Sequence, residues 1–247
     1  MHKWTVLATV WLFAGCSYLG EPDGTYQNRV DETADYIYIH SPAAEASTGF
    51  LFYPGGLVDA GVYKTWCDGL VTVRPDVSVL IVKMPLNLAV FSPEKGIKYM
   101  ERQPQIHRWL AGGHSLGGTM AARLVHQRPG AFRGLVLLGS YPAASDDLSE
   151  WPGFVLSLSA QYDGLSTPEK IEDNQKLLPP PYAMLTPTDQ PPASMPYTGY
   201  YRIPGGNHAG FGSYGPQKGD GQAGISPEAQ HQVMITAIDK FIQILWP

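Results

Sequence analysis

The chain has 247 residues, 44% of them hydrophobic and 16% charged, with a formal net charge of -5. That length suits one α/β domain whose core can stand without disulfides, and the acidic balance excludes the basic footprint of a nucleic-acid binder. Glycine (27) and proline (22) point to many tight turns, while the hydrophobic share is too high for a disordered chain.

The N-terminus reads as an export signal over residues 1–15. Met1-His2-Lys3 is a positive start, residues 4–14 are apolar but too few to span a bilayer, and Ala14-Gly15 are small residues at a cleavage point. Leu12-Phe13-Ala14-Gly15-Cys16 resembles the lipobox of bacterial lipoproteins, with Phe13 where that family carries an aliphatic residue. The resemblance implies lipidation of Cys16, and acyl chains there would hold a soluble domain at a membrane of the bacterial envelope. An ordinary signal peptide with an incidental cysteine is the alternative, and Cys16 could then pair with Cys67. Residues 16–33, polar and rich in turn formers, read as a tether, which leaves 34–247 as the folded domain.

Along that domain, apolar runs of strand length alternate with segments of helical period, the pattern of a mostly parallel sheet flanked by helices. Predicted strands are 36–40, 50–53, 77–84, 108–112, 135–139, 154–159 and 199–203; predicted helices are 58–70, 93–103, 116–127, 168–178 and 227–245. The last helix opens on Ser226-Pro227, a cap followed by a first-turn proline, and its apolar residues recur at helical spacing, so it reads as packing. Cys67, inside the first predicted helix, reads as a small buried hydrophobe.

Four local motifs carry chemistry. Tyr53-Pro54-Gly55-Gly56-Leu57 is a glycine turn directly after a strand. Gly113-His114-Ser115-Leu116-Gly117 is a GxSxG between strand and helix, the setting of a nucleophile elbow, in which a serine at the tip of a tight turn needs small flanking residues. Asp163 follows the strand 154–159, and Gly205-Gly206-Asn207-His208 is a glycine-rich turn before the last helix.

Taken together these motifs resemble the α/β-hydrolase superfamily, in particular its small dienelactone-hydrolase-like and esterase-like members whose oxyanion loop reads tyrosine–proline–glycine–glycine. The resemblance covers the whole mature region and implies an α/β-hydrolase fold with Ser115 as nucleophile, His208 as base and Asp163 as acid, in the family's chain order. Asp146 and Asp147, after the preceding strand, are the rivals for the acid. By position, the oxyanion donors are the N–H groups of Leu116 and of Gly56, with Leu57 as the alternative to Gly56. His114 points away from Ser115 and suits packing; His40, His107, His126 and His231 read as surface or core histidines.

Only residues 140–152 separate two predicted strands where lipase-like members insert a lid, so little or no lid is expected. Walls of an open site are assigned to Tyr53, Leu57, Phe91, Tyr141, Phe211 and Tyr214, with the proline-rich loop 179–196 as a partial cover. Gly210-Phe211-Gly212-Ser213-Tyr214-Gly215 fits GxGxxG, but no helix follows it, so a dinucleotide role is not assigned. No metal or cofactor motif is present, and a monomer is expected. The activity this implies is hydrolysis of a carboxylic ester of short or medium acyl length through an acyl-enzyme. Thioesterase or dienelactone-type hydrolysis, and a non-catalytic envelope binding protein with the same fold, are the alternatives.

Overall fold

Strand runs such as Phe50-Leu51-Phe52-Tyr53 are apolar at every position because both faces of the sheet are covered, as parallel sheets require. The computed structural model describes residues 25–43, 46–182 and 196–247. The expected signal, Cys16 and residues 183–195 of the proline-rich loop lie outside the described residues.

The described strands form one sheet: β1 (Val30–Glu32), β2 (Tyr36–Ile39), β3 (Thr48–Tyr53), β4 (Val77–Val82), β5 (Arg108–His114), β6 (Gly134–Leu138), β7 (Phe154–Ala160), β8 (Pro181–Tyr182) and β9 (Thr198–Ile203). Their spatial order is β1-β2-β4-β3-β5-β6-β7-β9-β8. At one edge β1 pairs antiparallel with β2 and β2 pairs antiparallel with β4, and every other pairing is parallel.

Side chains alternate between the two faces along each strand. Phe50, Phe52, Val79, Ile81, Val136 and Leu138 face a core closed by α1 (Lys64–Val73) and α5 (Pro227–Leu245), while Leu51, Tyr53, Leu80, Val82, Leu135 and Leu137 face one closed by α2 (Lys95–Met100) and α3 (Leu116–Gln127). Cys67 is buried and free in the first core, packed among Trp66 and Leu70 of its own helix.

Departures from the predicted elements have local causes. The first predicted helix begins as a 3-10 turn, Ala60–Tyr63, because the Asp59 carboxylate takes the Gly61 N–H at 2.7 Å. The helix predicted over 168–178 stops as α4 (Pro168–Asp173) and continues as a 3-10 turn, Gln175–Leu177. The tether read over 16–33 is too long: its last residues belong to the domain. There Asp68 of α1 accepts the backbone N–H groups of Gln27 and Asn28 at 2.8 and 3.0 Å, and β1 pairs with β2. A three-residue edge strand with two acidic side chains carries no period to read. Residues 139–153 join β6 to β7 with no inserted helix or strand.

Candidate active site

Ser115 sits where β5 ends and α3 begins, with φ 52° and ψ -125°, a conformation that L residues occupy only under strain. Backbone bonds hold it there: its N–H donates to Leu138 O at 3.0 Å, and its carbonyl accepts the Ser140 hydroxyl at 2.7 Å. The flanking glycines are required by the neighbouring backbone. A Cβ on Gly117 would lie 2.2 Å from Pro54 O and 2.3 Å from Tyr53 O, and one on Gly113 would lie 2.6 Å from Tyr53 O. The elbow therefore packs directly on the Tyr53–Gly56 loop.

That loop is fixed from beneath by a buried chain of hydrogen bonds. The Tyr63 hydroxyl accepts the Gly55 N–H at 3.0 Å and shares a hydrogen bond with His114 Nδ1 at 2.9 Å. Burial, then the neighbouring His208, hold the His114 pKa well below the usual imidazole value, so the ring stays neutral. Its ring packs 4.4 Å from that of His208 and 5.4 Å from that of Phe211.

Asp163 and His208 are brought together from the loops after β7 and β9. His208 Nδ1 lies 2.8 Å from Asp163 Oδ2, both side chains being buried. The other carboxylate oxygen, Oδ1, accepts the N–H groups of Leu165 at 2.8 Å and Ser166 at 2.7 Å, which fixes the carboxylate plane. An ionised carboxylate only accepts, so Nδ1 carries the proton and Nε2 presents a lone pair. Gly139, at the end of β6 with φ 50°, leaves room for the pair: a Cβ there would lie 2.9 Å from Asp163 Oδ2. The rival acids are engaged elsewhere. Asp146 pairs with Arg123 at 3.2 Å, and Asp147 caps the Ser149 N–H at 2.8 Å.

Gly56 and Leu116 are neighbours, a Cβ on Gly56 lying 3.0 Å from Leu116 Cδ2. The alternative donor is excluded, because the Leu57 N–H already donates to Asn87 O at 2.8 Å. Of the wall residues, Tyr53 and Phe211 are corrected. Both are fully buried; the Tyr53 hydroxyl donates to Pro93 O at 2.5 Å on the α2 side of the sheet, and Phe211 underlies His114. Tyr214 is nearly buried beside the His114 ring, with its hydroxyl on Gln217 Oε1 at 3.0 Å. Leu57 and Tyr141 are partly exposed, and Phe91 is exposed. Among the other histidines, His40 bonds Asp31 at 2.6 Å, His126 bonds Asp147 O at 3.0 Å and His231 is buried in α5.

Three residues fix the His208 turn: Asn207 lies in the Gly205-Gly206-Asn207-His208 motif, whereas Asp220 and Gln230 carried no sequence signal strong enough to be found. Asp220 accepts the N–H groups of His208 and Gly164 through Oδ1, both at 3.1 Å, and that of Ala209 through Oδ2 at 2.8 Å. Gln230 of α5 brackets Asn207, accepting its N–H at 3.1 Å and donating to its carbonyl at 2.9 Å. Asn207 in turn accepts the Gly210 N–H at 2.9 Å and donates to Gly221 O at 2.8 Å. Asp220 lies in a glycine-rich loop without period, and Gln230 sits on a helix whose apolar stripe accounts for its packing.

The sequence matches the alpha/beta hydrolase family over residues 49–232. The chain belongs to that family. Its members' fold is also found among solved structures. Est1E from Butyrivibrio proteoclasticus, solved with ferulic acid bound, superposes with a TM-score of 0.59 at 11% identity, over 84% of this chain and 93% of that one. A thermophilic esterase from Thermogutta terrifontis gives 0.62 at 12% identity, over 86% and 93%. The alpha/beta hydrolase domain-containing protein 10 from mouse gives 0.56 at 12% identity, over 88% and 99%. No curated protein matches the sequence. Among the described residues no cluster of side chains suits a metal ion, and no helix is long and apolar enough to cross a membrane.

Proposed function

We propose that this alpha/beta hydrolase is a serine carboxylic-ester hydrolase, and the observation that carries the reading is one arrangement. A serine strained at φ 52° at the end of β5 is linked to a buried carboxylate–imidazole pair 2.8 Å apart through His114, the residue before it, whose ring packs 4.4 Å from that of His208. In this reading Ser115 Oγ attacks the ester carbonyl carbon while His208 Nε2 takes its proton. Asp163 holds the imidazole in the Nε2-basic tautomer and stabilises the imidazolium that forms. The N–H groups of Gly56 and Leu116 receive the negative oxygen. His208 then protonates the departing alcohol, and water, deprotonated by the same nitrogen, cleaves the acyl-enzyme. The short β6–β7 connection supports an unlidded site for short or medium acyl groups; thioesters and lactones suit the same chemistry.

The test is covalent labelling. A fluorophosphonate should modify the purified protein at Ser115, and Ser115→Ala should abolish the label. A non-catalytic binding protein of the same fold would give no label, and a label that survives the alanine substitution would remove Ser115 from the mechanism.

For location, we propose export and anchorage through Cys16, supported by the signal-like residues 1–15 and the sequence Leu12-Phe13-Ala14-Gly15-Cys16. Expressed with its own signal in a bacterium, the protein should fractionate with membranes and carry a lipid-modified N-terminal Cys16. A soluble mature protein with an unmodified cysteine would refute the anchor.

A further inference from the structure

Among the described residues, the non-glycine positions with positive φ are Leu57 (62°), Leu86 (53°), Asn87 (54°) and Ser115 (52°). All four belong to one neighbourhood. The Leu57 N–H donates to Asn87 O at 2.8 Å, and a Cβ on Gly56 would lie 3.6 Å from Leu88 Cδ2 and 3.0 Å from Leu116 Cδ2. The segment following β4 is thus bonded to the oxyanion loop and packed beside the elbow. Strain that clusters in this way is retained where the surrounding structure gains function from it.

The same segment holds a solvent-facing apolar strip. Leu86 is 78% exposed, Phe91 59% and Val90 43%, whereas the other exposed large hydrophobics among the described residues, Val73 and Tyr162, stand elsewhere in the sequence. A leucine is a poor choice for an exposed positive-φ position, which asparagine or glycine would take at less cost.

The sheet order decides which part of an ester this strip would meet. β3 and β4 lie on one side of β5, and β6, β7 and β9, which carry Asp163 and His208, lie on the other. A leaving-group oxygen must come within reach of His208 Nε2, on the β6–β9 side. The acyl substituent diverges from that leaving-group oxygen, which puts it on the side of Ser115 where β3, β4 and the strip lie.

We propose that Leu86, Val90 and Phe91 form the acyl-chain subsite, making the protein selective for esters of apolar acyl groups several methylenes long over acetyl esters. The proposal rests on the serine-ester-hydrolase reading of the site. Each methylene fully buried on the strip would raise kcat/KM about fourfold, and a chain lying on an open surface gains less.

The experiment uses the purified full chain and 4-nitrophenyl esters from acetate to decanoate, which share one leaving group. In the wild type, kcat/KM should climb with chain length and then level off. Leu86→Asn, which suits the positive φ, should keep the melting temperature at or above that of the wild type, yet it should lower the octanoate-to-acetate ratio of kcat/KM about tenfold. Phe91→Ser should lower the ratio likewise, mainly through KM. Val73→Ser, on α1, should leave it unchanged, and lengthening the alcohol of an acetate ester should not reveal the two strip substitutions. A wild type labelled at Ser115 but without chain-length preference, or strip variants with an unchanged ratio, would overturn the subsite. Absence of both labelling and ester turnover would instead overturn the reading on which it rests.

Discussion

The carboxylate of Asp220 holds the backbone on both sides of the His208 Cα: Oδ1 accepts the His208 N–H at 3.1 Å and Oδ2 accepts the Ala209 N–H at 2.8 Å. Because Oδ1 also takes the Gly164 N–H, next to Asp163, a single side chain ties the loop that carries the acid to the loop that carries the base. Distance and angle between Asp163 and His208 therefore depend on a residue that touches neither side chain.

Asp220→Asn places an amide where one backbone N–H must be accepted, so a donor would face a donor. A displaced His208 turn should lower kcat about ten- to a hundredfold, since small misplacements of a reacting group cost about that much. KM should change little. Steady-state kinetics with near-UV circular dichroism checks this, and a folded variant within twofold of wild type would show that the turn holds without the clamp.

Asp163→Asn should cost about 10³ to 10⁴ in kcat, because it disturbs the histidine tautomer while leaving the core alone. Asp146→Asn should stay within a few-fold, since its carboxylate serves Arg123. The reverse outcome would move the acid to the earlier loop.

Gly117→Ala forces a methyl to within 2.3 Å of two backbone carbonyl oxygens, which have no rotamer to yield. It should destabilise the fold by about 3 kcal/mol or more and displace the oxyanion loop. Gly130 has nothing within 4 Å of its Cβ position, and Gly130→Ala should be neutral or stabilising by up to about 1 kcal/mol. Urea denaturation of the pair measures the contrast.

Burial pushes the His231 pKa down to about 4, from an ordinary 6.5. The unfolded chain therefore binds the proton more readily than the native one. Stability from the neutral ring is fully present above pH 6.5 and is lost as pH falls from 6.5 toward 4, on the order of 3 kcal/mol in all. His114 titrates low for the same reason and adds to the slope. His231→Leu should flatten, without abolishing, the fall in unfolding free energy over that interval, and an unchanged slope would contradict it.

The parallel sheet, the elbow and the chain order of Ser115, Asp163 and His208 were legible in the sequence because each is a local signal. Apolar strand runs, a GxSxG between strand and helix, and glycines at turns are set by sterics within a few residues. α3 and α5 begin and end where the sequence places them, since α3 starts at the elbow turn and Ser226 caps α5 by accepting the Ala229 N–H. Strand β1, with a single apolar residue, has no such signal, and neither has Asp220.

What the sequence determined by itself was therefore which residues are available and in what order. Tertiary structure alone decided which of them face the site. Tyr53 and Phe211 are aromatic and near the motifs, yet strand alternation and the packing of the His208 turn bury both. Leu57 has the right position for an oxyanion donor, but Asn87, thirty residues on, occupies its N–H. Hydrogen bonds and close contacts between distant segments depend on the three-dimensional register of loops, which no local pattern of side chains encodes.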